Sequence, residues 1–153
     1  MTIQLIETYP DTSDAISLID ELSQRLKSIT GSSGAKNFTA ESVQERGIFV
    51  VAYRDGQACG CGAIRLLDAA GRPDVCEVKR MYSRVAGAGI GSAILKHLEQ
   101  RAVALDYREA WLETRRVNTV AVEFYKHHGY VERENFGVYV GRPEAVCFER
   151  RLA

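Results

Sequence analysis

The chain has 153 residues with 20 basic and 20 acidic side chains, so its formal net charge at pH 7 is zero. A chain of this length can bury enough apolar surface to fold without disulfides or a metal, and we expect one domain over residues 1–153. The balanced charge provides no long-range field, so neither nucleic acid nor a membrane is an expected partner. The sequence contains neither a secretory leader nor a run of roughly 20 apolar residues, which predicts a cytoplasmic protein.

The first third of the chain predicts a strand followed by helices. Apolar residues alternate over residues 3–8, which predicts a strand. Segment 10–13 ends this strand and contains residues that can act as the N-cap of the following helix. Over residues 15–29 the apolar positions recur at steps of three and four, which is the spacing of an amphipathic helix. Residues 31–34 are predicted to form a loop, and a second short helix is predicted over residues 39–46.

The middle of the chain predicts an antiparallel meander. The dipeptide Asp55-Gly56 is a strong two-residue hairpin turn, and it separates predicted strands over residues 48–53 and 57–67. A further turn leads into a third strand over residues 75–82, which extends the same meander.

The periodicity then becomes helical over residues 90–105, and a strand follows over residues 108–114. Because this helix joins the strands on either side of it, those strands are predicted to lie parallel and adjacent, which makes the sheet mixed. A last helix is predicted over residues 119–128. Two closing strands, over residues 130–132 and 145–151, are expected to pair with each other.

Four cysteines lie within predicted strands, and we interpret them as small apolar core residues: Cys59, Cys61, Cys76 and Cys147. Cys59 and Cys61 resemble half of a metal site. Their period-two spacing is that of a strand, however, and no second Cys/His pair follows at the spacing of a zinc finger. No metal is therefore expected.

A glycine-rich segment after the third predicted strand carries the most informative motif. Gly87, Gly89 and Gly91 occupy alternate positions, so successive backbone N–H groups can approach an anion without obstruction from side chains. The helix that follows directs its positive N-terminus to the same place, where a pyrophosphate would fit. A tight turn that uses glycines only for packing is the alternative.

Two other phosphate-binding motifs do not match this segment. The dinucleotide fingerprint needs G-x-G-x-x-G within a βαβ unit, whereas the spacing here is G-x-G-x-G and the upstream strands form an antiparallel hairpin. A P-loop needs Gly-Lys-Ser/Thr at its end, and no such residues follow.

Two blocks of sequence together resemble the GNAT superfamily of acyl-CoA N-acyltransferases. The first is Lys-Arg-Met-Tyr at residues 79–82 with the loop 86–91, and the second is residues 118–130, with an Asn, a Phe-Tyr pair and a closing Gly-Tyr. The order of predicted elements matches along the whole chain, and the specific resemblance covers residues 77–130. It implies an α/β (α+β) fold with a mixed, mostly antiparallel central sheet, helices on both faces and a V-shaped splay between two central parallel strands.

The resemblance also implies that acetyl-CoA binds with its pyrophosphate on the glycine-rich loop. The implied cofactor-binding residues are Met81, Tyr82, Ser83, Arg84, Gly87, Ala88, Gly89, Ile90, Gly91, Ser92, Asn118, Ala121, Phe124 and Tyr125. The family usually begins this loop with Arg or Gln, where this chain has Ala86. We therefore expect weaker affinity for the cofactor, with the backbone contacts retained and Arg84 supplying charge from a shifted position.

By the same resemblance the protein is an N-acetyltransferase in which Tyr125 donates a proton to the CoA sulfur. A backbone N–H near Met81 and Ser83, where the strand splays, is the implied donor to the oxyanion. A general base must deprotonate the incoming ammonium, and Glu77 and Glu113 are the two carboxylates near the predicted cleft. Either could instead be paired with a neighbouring cation, so the choice between them is open.

The expected acceptor is a small-molecule primary amine with an anionic group, such as an amino acid or a related metabolite. Segments 26–38 and 134–143 build the acceptor pocket in this family, and their cationic and aromatic residues suit such a molecule. A protein or peptide amine, a CoA-binding regulatory module without turnover, and an NAD- or ATP-binding protein are the alternatives. Exposed strand edges are compatible with a homodimer.

Overall fold

The computed structural model describes residues 2–31 and 46–152. In chain order the elements are β1 (Ile3–Thr8), α1 (Ser13–Thr30), β2 (Ile48–Arg54), β3 (Gln57–Leu66), β4 (Val75–Ser83), α2 (Ile90–Ala104), β5 (Glu109–Arg115), α3 (Thr119–His127), β6 (Val131–Arg133) and β7 (Ala145–Arg151). Short 3₁₀ turns at Asp68–Ala70 and Gly137–Tyr139 precede β4 and β7. Within the described ranges the strands form one mixed sheet of order β1-β2-β3-β4-β5-β7-β6.

The predicted strands and helices of the described residues are confirmed, with shifts of one or two residues at their ends. The antiparallel meander of β1 to β4, the parallel pairing of β4 with β5 and the pairing of β6 with β7 are all present. The predicted loop over residues 31–34 and the short helix over residues 39–46 lie outside the described residues, apart from residues 31 and 46.

Helix α1 illustrates how local signals set the ends of an element. The Thr12 hydroxyl accepts a hydrogen bond from the N–H of Ala15 at 3.4 Å. At the other end Gly31 has a φ of +80° and donates its N–H to the Lys27 carbonyl at 2.9 Å. The apolar stripe between these caps, in which Leu18 is fully buried, packs on β2 and β3.

The sheet separates two apolar layers, because successive side chains of each strand point to opposite faces. On one face α2 and α3 cover a core that includes Ile94, Leu98 and Phe148. On the other face α1 covers β2 and β3, and a cluster around Trp111 and Tyr139 covers β5 and β7. Burial of each large apolar side chain stabilises the fold by about 1.5–3 kcal/mol. The four cysteines are buried and free, as predicted. Within the described ranges no helix is long and apolar enough to cross a membrane.

The two central strands diverge, as the resemblance implied. β4 and β5 pair in parallel at only three positions, from Val75 with Glu109 to Glu77 with Trp111. Beyond these positions β4 continues to Ser83 beside β3, while β5 stays paired with β7 to its end. The backbone of β4 after Glu77 therefore has no strand on one side and borders a V-shaped opening.

A β-bulge in β4 decides which side chains face this opening. Cys61 of β3 lies opposite Tyr82, whereas Ala63 lies opposite Lys79, so β4 contains one extra residue between these two pairs. Within the bulge Arg80 has a φ of +54°. As a result, the consecutive residues Lys79 and Arg80 both reach the face that carries α1 and the second 3₁₀ turn.

Candidate active site

A cavity of about 580 Å³ follows the splay from the glycine-rich loop to the face that carries Tyr139. Its size is that of a small-molecule pocket, and its walls come from α1, β4, the start of α2, β5 and α3. The predicted site residues that line it are Glu77, Met81, Tyr82, Ser83, Gly87, Gly89, Ile90, Gly91, Ser92, Glu113, Asn118, Ala121, Phe124 and Tyr125. Arg84 and Ala88 are outside its lining.

The glycine-rich loop presents its backbone to the cavity. Gly87 and Gly89 have φ angles of +75° and +76°, a conformation that disfavours residues with a side chain. A Cβ at either position would have no atom within 4 Å, so the space in front of the backbone is open. Gly89 is also the N-cap residue of α2, whose unpaired N–H groups and positive dipole end lie at the same end of the cavity. This backbone geometry fits a pyrophosphate.

Gly91 is glycine for a different reason. A Cβ there would lie 3.3 Å from the ring of Phe124, so its absence lets α2 and α3 approach closely. A hydrogen bond of 2.9 Å between Ser92 Oγ and His128 Nε2 joins the same helices. The His128 ring also packs 4.6 Å from that of Phe124. The packing alternative therefore applies to this one glycine.

Asn118 begins α3 at the wall of the cavity. Its Oδ1 atom accepts a hydrogen bond from the N–H of Ala121 at 3.3 Å, so Asn118 is the N-cap of this helix. Because Asn118 also lines the cavity, the capping role leaves room for a contact with a ligand.

Tyr125 of α3 is a buried residue that lines the cavity. Its hydroxyl has no hydrogen-bond partner among the residues that the structure describes. The rings of Phe124 and Tyr130 pack against it with centroids at 5.2 and 5.7 Å. Burial raises the pKa of Tyr125 far above its ordinary value, so the hydroxyl stays protonated at neutral pH. Such a group can donate a proton to a leaving group.

The two predicted carboxylates differ in their partners. Glu77 is 1% exposed, Arg65 donates two hydrogen bonds to its Oε1 atom at 2.9 and 3.1 Å, and Lys79 Nζ lies 3.6 Å from Oε2. Glu113 Oε2 is buried without a hydrogen-bond partner in the described chain, and Arg115 Nε lies 3.7 Å away. Burial raises the pKa of Glu113, although Arg115 and Lys79 oppose the change. Glu113 therefore has both the free oxygen and the proton affinity that a base needs.

The sequence profile of the acetyltransferase (GNAT) family matches residues 16–130 of the chain. The protein belongs to the GNAT family of acetyltransferases. A protein named IAA acetyltransferase from Azospirillum brasilense is 29% identical over 140 residues, which cover 90% of both chains. An N-acetyltransferase of Schizosaccharomyces pombe is 33% identical over 93 residues, which cover 59% of this GNAT chain and 55% of the relative.

Solved structures share the fold of this GNAT acetyltransferase. A protein from Klebsiella pneumoniae assigned as an acyl-CoA N-acyltransferase has a TM-score of 0.82 at 25% identity, with 99% of each chain covered. The PaiA N-acetyltransferase of Thermoplasma acidophilum, in complex with coenzyme A, has a TM-score of 0.74 at 16% identity, again with 99% of each chain covered. The predicted fold class is confirmed, and acetyl-CoA is the acetyl donor of the GNAT family.

In this acetyltransferase the Arg84 side chain lies away from the cavity, which corrects its expected position. Its guanidinium binds the Glu21 carboxylate with two nitrogens and donates to the Ala58 carbonyl at 2.7 Å. A bidentate carboxylate partner on α1 holds the side chain there. Arg25 of α1 lines the cavity instead, 4.8 Å from the centre of the Tyr82 ring. The periodicity of α1 contains no signal that distinguishes Arg25 from other exposed helix positions.

The acetyltransferase also pairs two cavity residues that no sequence signal connects. Lys79 Nζ donates a hydrogen bond of 3.1 Å to the Tyr139 hydroxyl, across 60 residues of sequence. Tyr139 lies in the segment before β7. Asn135 holds the backbone of that segment, because its side-chain amide donates hydrogen bonds to the carbonyls of Tyr139 and Arg142, at 3.0 Å each. Burial lowers the pKa of Lys79, although the nearby charge of Glu77 opposes the change.

Proposed function

We propose that the protein transfers an acetyl group from acetyl-CoA to the primary amine of a small molecule, an amino acid or a related metabolite, by direct attack in a ternary complex. The observation that carries the proposal is the continuity of the cavity. One space connects the open backbone of Gly87 and Gly89 with Glu113, whose Oε2 atom accepts no hydrogen bond in the described chain, and Tyr125 lines the same space. A donor site and an acceptor site can therefore be filled at the same time.

At the donor end, the backbone of the loop and the N-terminus of α2 would hold the pyrophosphate. The unpaired edge of β4, from Met81 to Ser83, would bind the chain that leads to the thioester. Asn118, Ala121 and Phe124 would form the opposite wall. The thioester supplies the acetyl group. The residues of this end act by position and by hydrogen bonds from the main chain.

At the acceptor end, Glu113 would take a proton from the ammonium of the acceptor, which frees the nitrogen lone pair for attack on the carbonyl carbon. A backbone N–H of β4 near Met81 or Ser83 would stabilise the charge that develops on the carbonyl oxygen. As the C–N bond forms and the C–S bond breaks, Tyr125 would donate its proton to the departing sulfur. The nitrogen, which carries a second proton after the attack, would lose it to solvent. Solvent would also return a proton to Tyr125 and remove the one on Glu113, so that each turnover releases one proton.

The test has two steps, the first of which measures ligand binding. Thermal unfolding is followed with acetyl-CoA, CoA, NAD and ATP, because a ligand that binds the native state raises the midpoint. We expect the midpoint to rise with the CoA ligands alone. A rise with NAD or ATP alone would contradict the proposal.

The second step follows the release of free CoA thiol with a panel of amines and with a lysine-containing peptide. We expect thiol release that depends on a small amine, with the acetylated amine detected by mass spectrometry. Preference for the peptide would instead identify a protein or peptide acetyltransferase. Binding of acetyl-CoA without any amine-dependent release would identify a CoA-binding module.

A further inference from the structure

We propose that Lys79 and Tyr139 form an anchor for a carboxylate of the acceptor, so that the acceptor is an α-amino acid whose amine faces Glu113. This inference rests on the proposed function and names the substrate class and the residues that select it. Lys79, Tyr139 and Glu113 line the same cavity on the same face of the sheet. The Lys79 ammonium already donates to the Tyr139 hydroxyl at 3.1 Å, so both can direct protons to one bound anion.

Among Arg65, Glu77, Lys79 and Glu113, the charges leave one cation uncompensated when Glu113 is protonated. Arg65 neutralises Glu77 through its two hydrogen bonds to Oε1. Lys79 lies 3.6 Å from the other oxygen of Glu77, and its remaining partner, Tyr139, is neutral. Once Glu113 has taken the proton of the amine, one positive charge remains on these groups. An uncompensated charge is costly in a buried site, and a carboxylate on the acceptor removes that cost.

The other cations of the cavity are less suited to this role. The buried Arg80 already donates to Ser23 Oγ at 2.6 Å and to the Ile19 carbonyl at 3.4 Å, both on α1. Arg115 is already shared between Glu113, at 3.7 Å, and Glu144, at 3.5 Å. Arg25 is exposed on α1 and donates to the Ser83 carbonyl at 3.3 Å, so water screens its charge. The side chain of Lys79 is only 9% exposed, so its interaction with an anion is screened much less.

The distance between the amine and the carboxylate of the acceptor follows from the position of Lys79. Glu77 of β4 lies beside Trp111 of β5, and Lys79 and Glu113 are each two residues further along these neighbouring strands, where both line the cavity. An acceptor that meets both residues at once therefore carries its amine and its carboxylate near each other, as an α-amino acid does. The apolar residues Leu22 and Leu26 of α1 line the cavity and would face an apolar side chain.

The experiment compares matched acceptors on the unmodified protein. L-leucine, L-methionine and L-phenylalanine are each compared with the corresponding amide, which keeps the shape and the amine but lacks the negative charge. We expect kcat/KM to be roughly 10- to 100-fold higher for the acids, as one charge-assisted contact predicts. The amine of an amino amide is less basic and easier to deprotonate, so a preference for the acid cannot come from the basicity of the amine.

Two variants locate the preference. Lys79→Met keeps much of the apolar stem, and we expect the ratio of kcat/KM for acid over amide to fall toward one, mainly through KM for the acid. Tyr139→Phe keeps the ring, and we expect a smaller fall in the ratio, about two- to tenfold. Lys96→Met changes an exposed lysine of α2 and leaves the ratio unchanged. The thermal shift with acetyl-CoA shows that each variant is folded.

Equal rates for acids and amides in the unmodified protein would overturn this inference and leave the proposed function standing. The inference would also be overturned if the ratio of kcat/KM for acid over amide were unchanged in both Lys79→Met and Tyr139→Phe. If acetyl-CoA binds but no amine of either kind is acetylated, the proposed function fails, and the inference fails with it. Because the acid–amide comparison needs no variant, poor folding of Lys79→Met would not prevent a decision.

Discussion

The two ends of the cavity are built from different parts of the chain. At the glycine-rich end the groups that face the space are main-chain N–H groups, held by the positive φ angles of Gly87 and Gly89. At the other end they are buried side chains, Glu113 and Lys79 among them, whose charges are only partly compensated. The first end depends on backbone conformation, so we expect Ala86 to weaken binding there without abolishing it. The second depends on individual side chains, so single substitutions there should have larger effects.

The largest expected effect is the loss of turnover in Glu113→Gln. Removal of the proposed base should lower kcat by about 10²- to 10⁴-fold, while the thermal shift with acetyl-CoA stays as it is. Glu144→Gln is the matched control, because Glu144 also pairs with Arg115 but is 51% exposed. Steady-state kinetics with the best amine of the panel measure both variants. Full activity in Glu113→Gln would show that Glu113 is not the base.

The next effect concerns Tyr125→Phe, which removes only the proposed proton donor. We expect kcat to fall by about 10²-fold, with little change in acetyl-CoA affinity. Tyr130→Phe is the control, since the Tyr130 hydroxyl donates to Glu99 at 2.8 Å and should affect stability rather than turnover. If both variants lost stability equally and neither lost kcat, Tyr125 would be a core residue only.

Gly89→Ala tests the end that is built from the backbone. A side chain at a φ of +76° costs about 1–2 kcal/mol, and we expect the free loop of Gly89→Ala to relieve this strain by leaving the conformation. Binding of acetyl-CoA must then restore the conformation, so the affinity should fall by about five- to thirtyfold. Gly71→Ala is matched, because Gly71 has a φ of +72° and equally open surroundings but lies outside the cavity lining. It should lose similar stability and no affinity. Isothermal titration with acetyl-CoA separates the two variants.

The raised pKa of Glu113 predicts a pH-dependent cost in stability. The folded state holds this proton more tightly than the unfolded state, whose glutamate has the ordinary value of 4.5. The stabilising contribution is therefore complete below pH 4.5 and is lost as the pH rises through the folded pKa. Each unit of displacement corresponds to about 1.4 kcal/mol.

Glu113→Gln lacks this titration, so its unfolding midpoint should rise relative to that of the unmodified protein as the pH is raised from below 4.5 into the neutral range. Thermal unfolding of both proteins across this range measures the difference. A constant difference at every pH would show that Glu113 is as solvated in the folded state as in the unfolded one.

Arg84→Ala should have the smallest effect. The Arg84 side chain is 38% exposed and its pair with Glu21 lies at the surface, so its removal should cost about 0.5 kcal/mol of stability. We expect no change in acetyl-CoA affinity, which the same titration measures. A tenfold loss of affinity would mean that Arg84 leaves Glu21 and reaches the pyrophosphate after all.

Much of the fold could be predicted from the sequence because its signals are local. The caps of α1, the Asp55-Gly56 turn and the alternation of the strands each act within a few residues. The parallel neighbours β4 and β5 could be predicted as well, since a helical crossover between two strands permits few arrangements. The position of the glycine-rich loop could also be predicted, because glycine is the residue that most readily adopts the positive φ angles of Gly87 and Gly89.

The acceptor end could not be predicted in the same way, because its character depends on contacts between distant parts of the chain. Glu77 and Glu113 look equivalent in sequence. Only the packed strands show that Glu77 accepts two hydrogen bonds from Arg65, whereas Glu113 Oε2 has only the more distant ion pair with Arg115. Lys79 reaches its face by the regular alternation of β4, but only the packed structure shows that it meets Tyr139, 60 residues further along the chain.

The sequence by itself thus determined the elements, their order and the position of the glycine-rich loop, all of which follow from local propensities and from short-range geometry. The tertiary structure alone decided that Arg84 binds Glu21, that Glu113 keeps a free oxygen and that Lys79 is buried beside Glu77. Charge pairing and desolvation depend on every group within a few ångströms, and those neighbours are assembled only when the strands and helices pack.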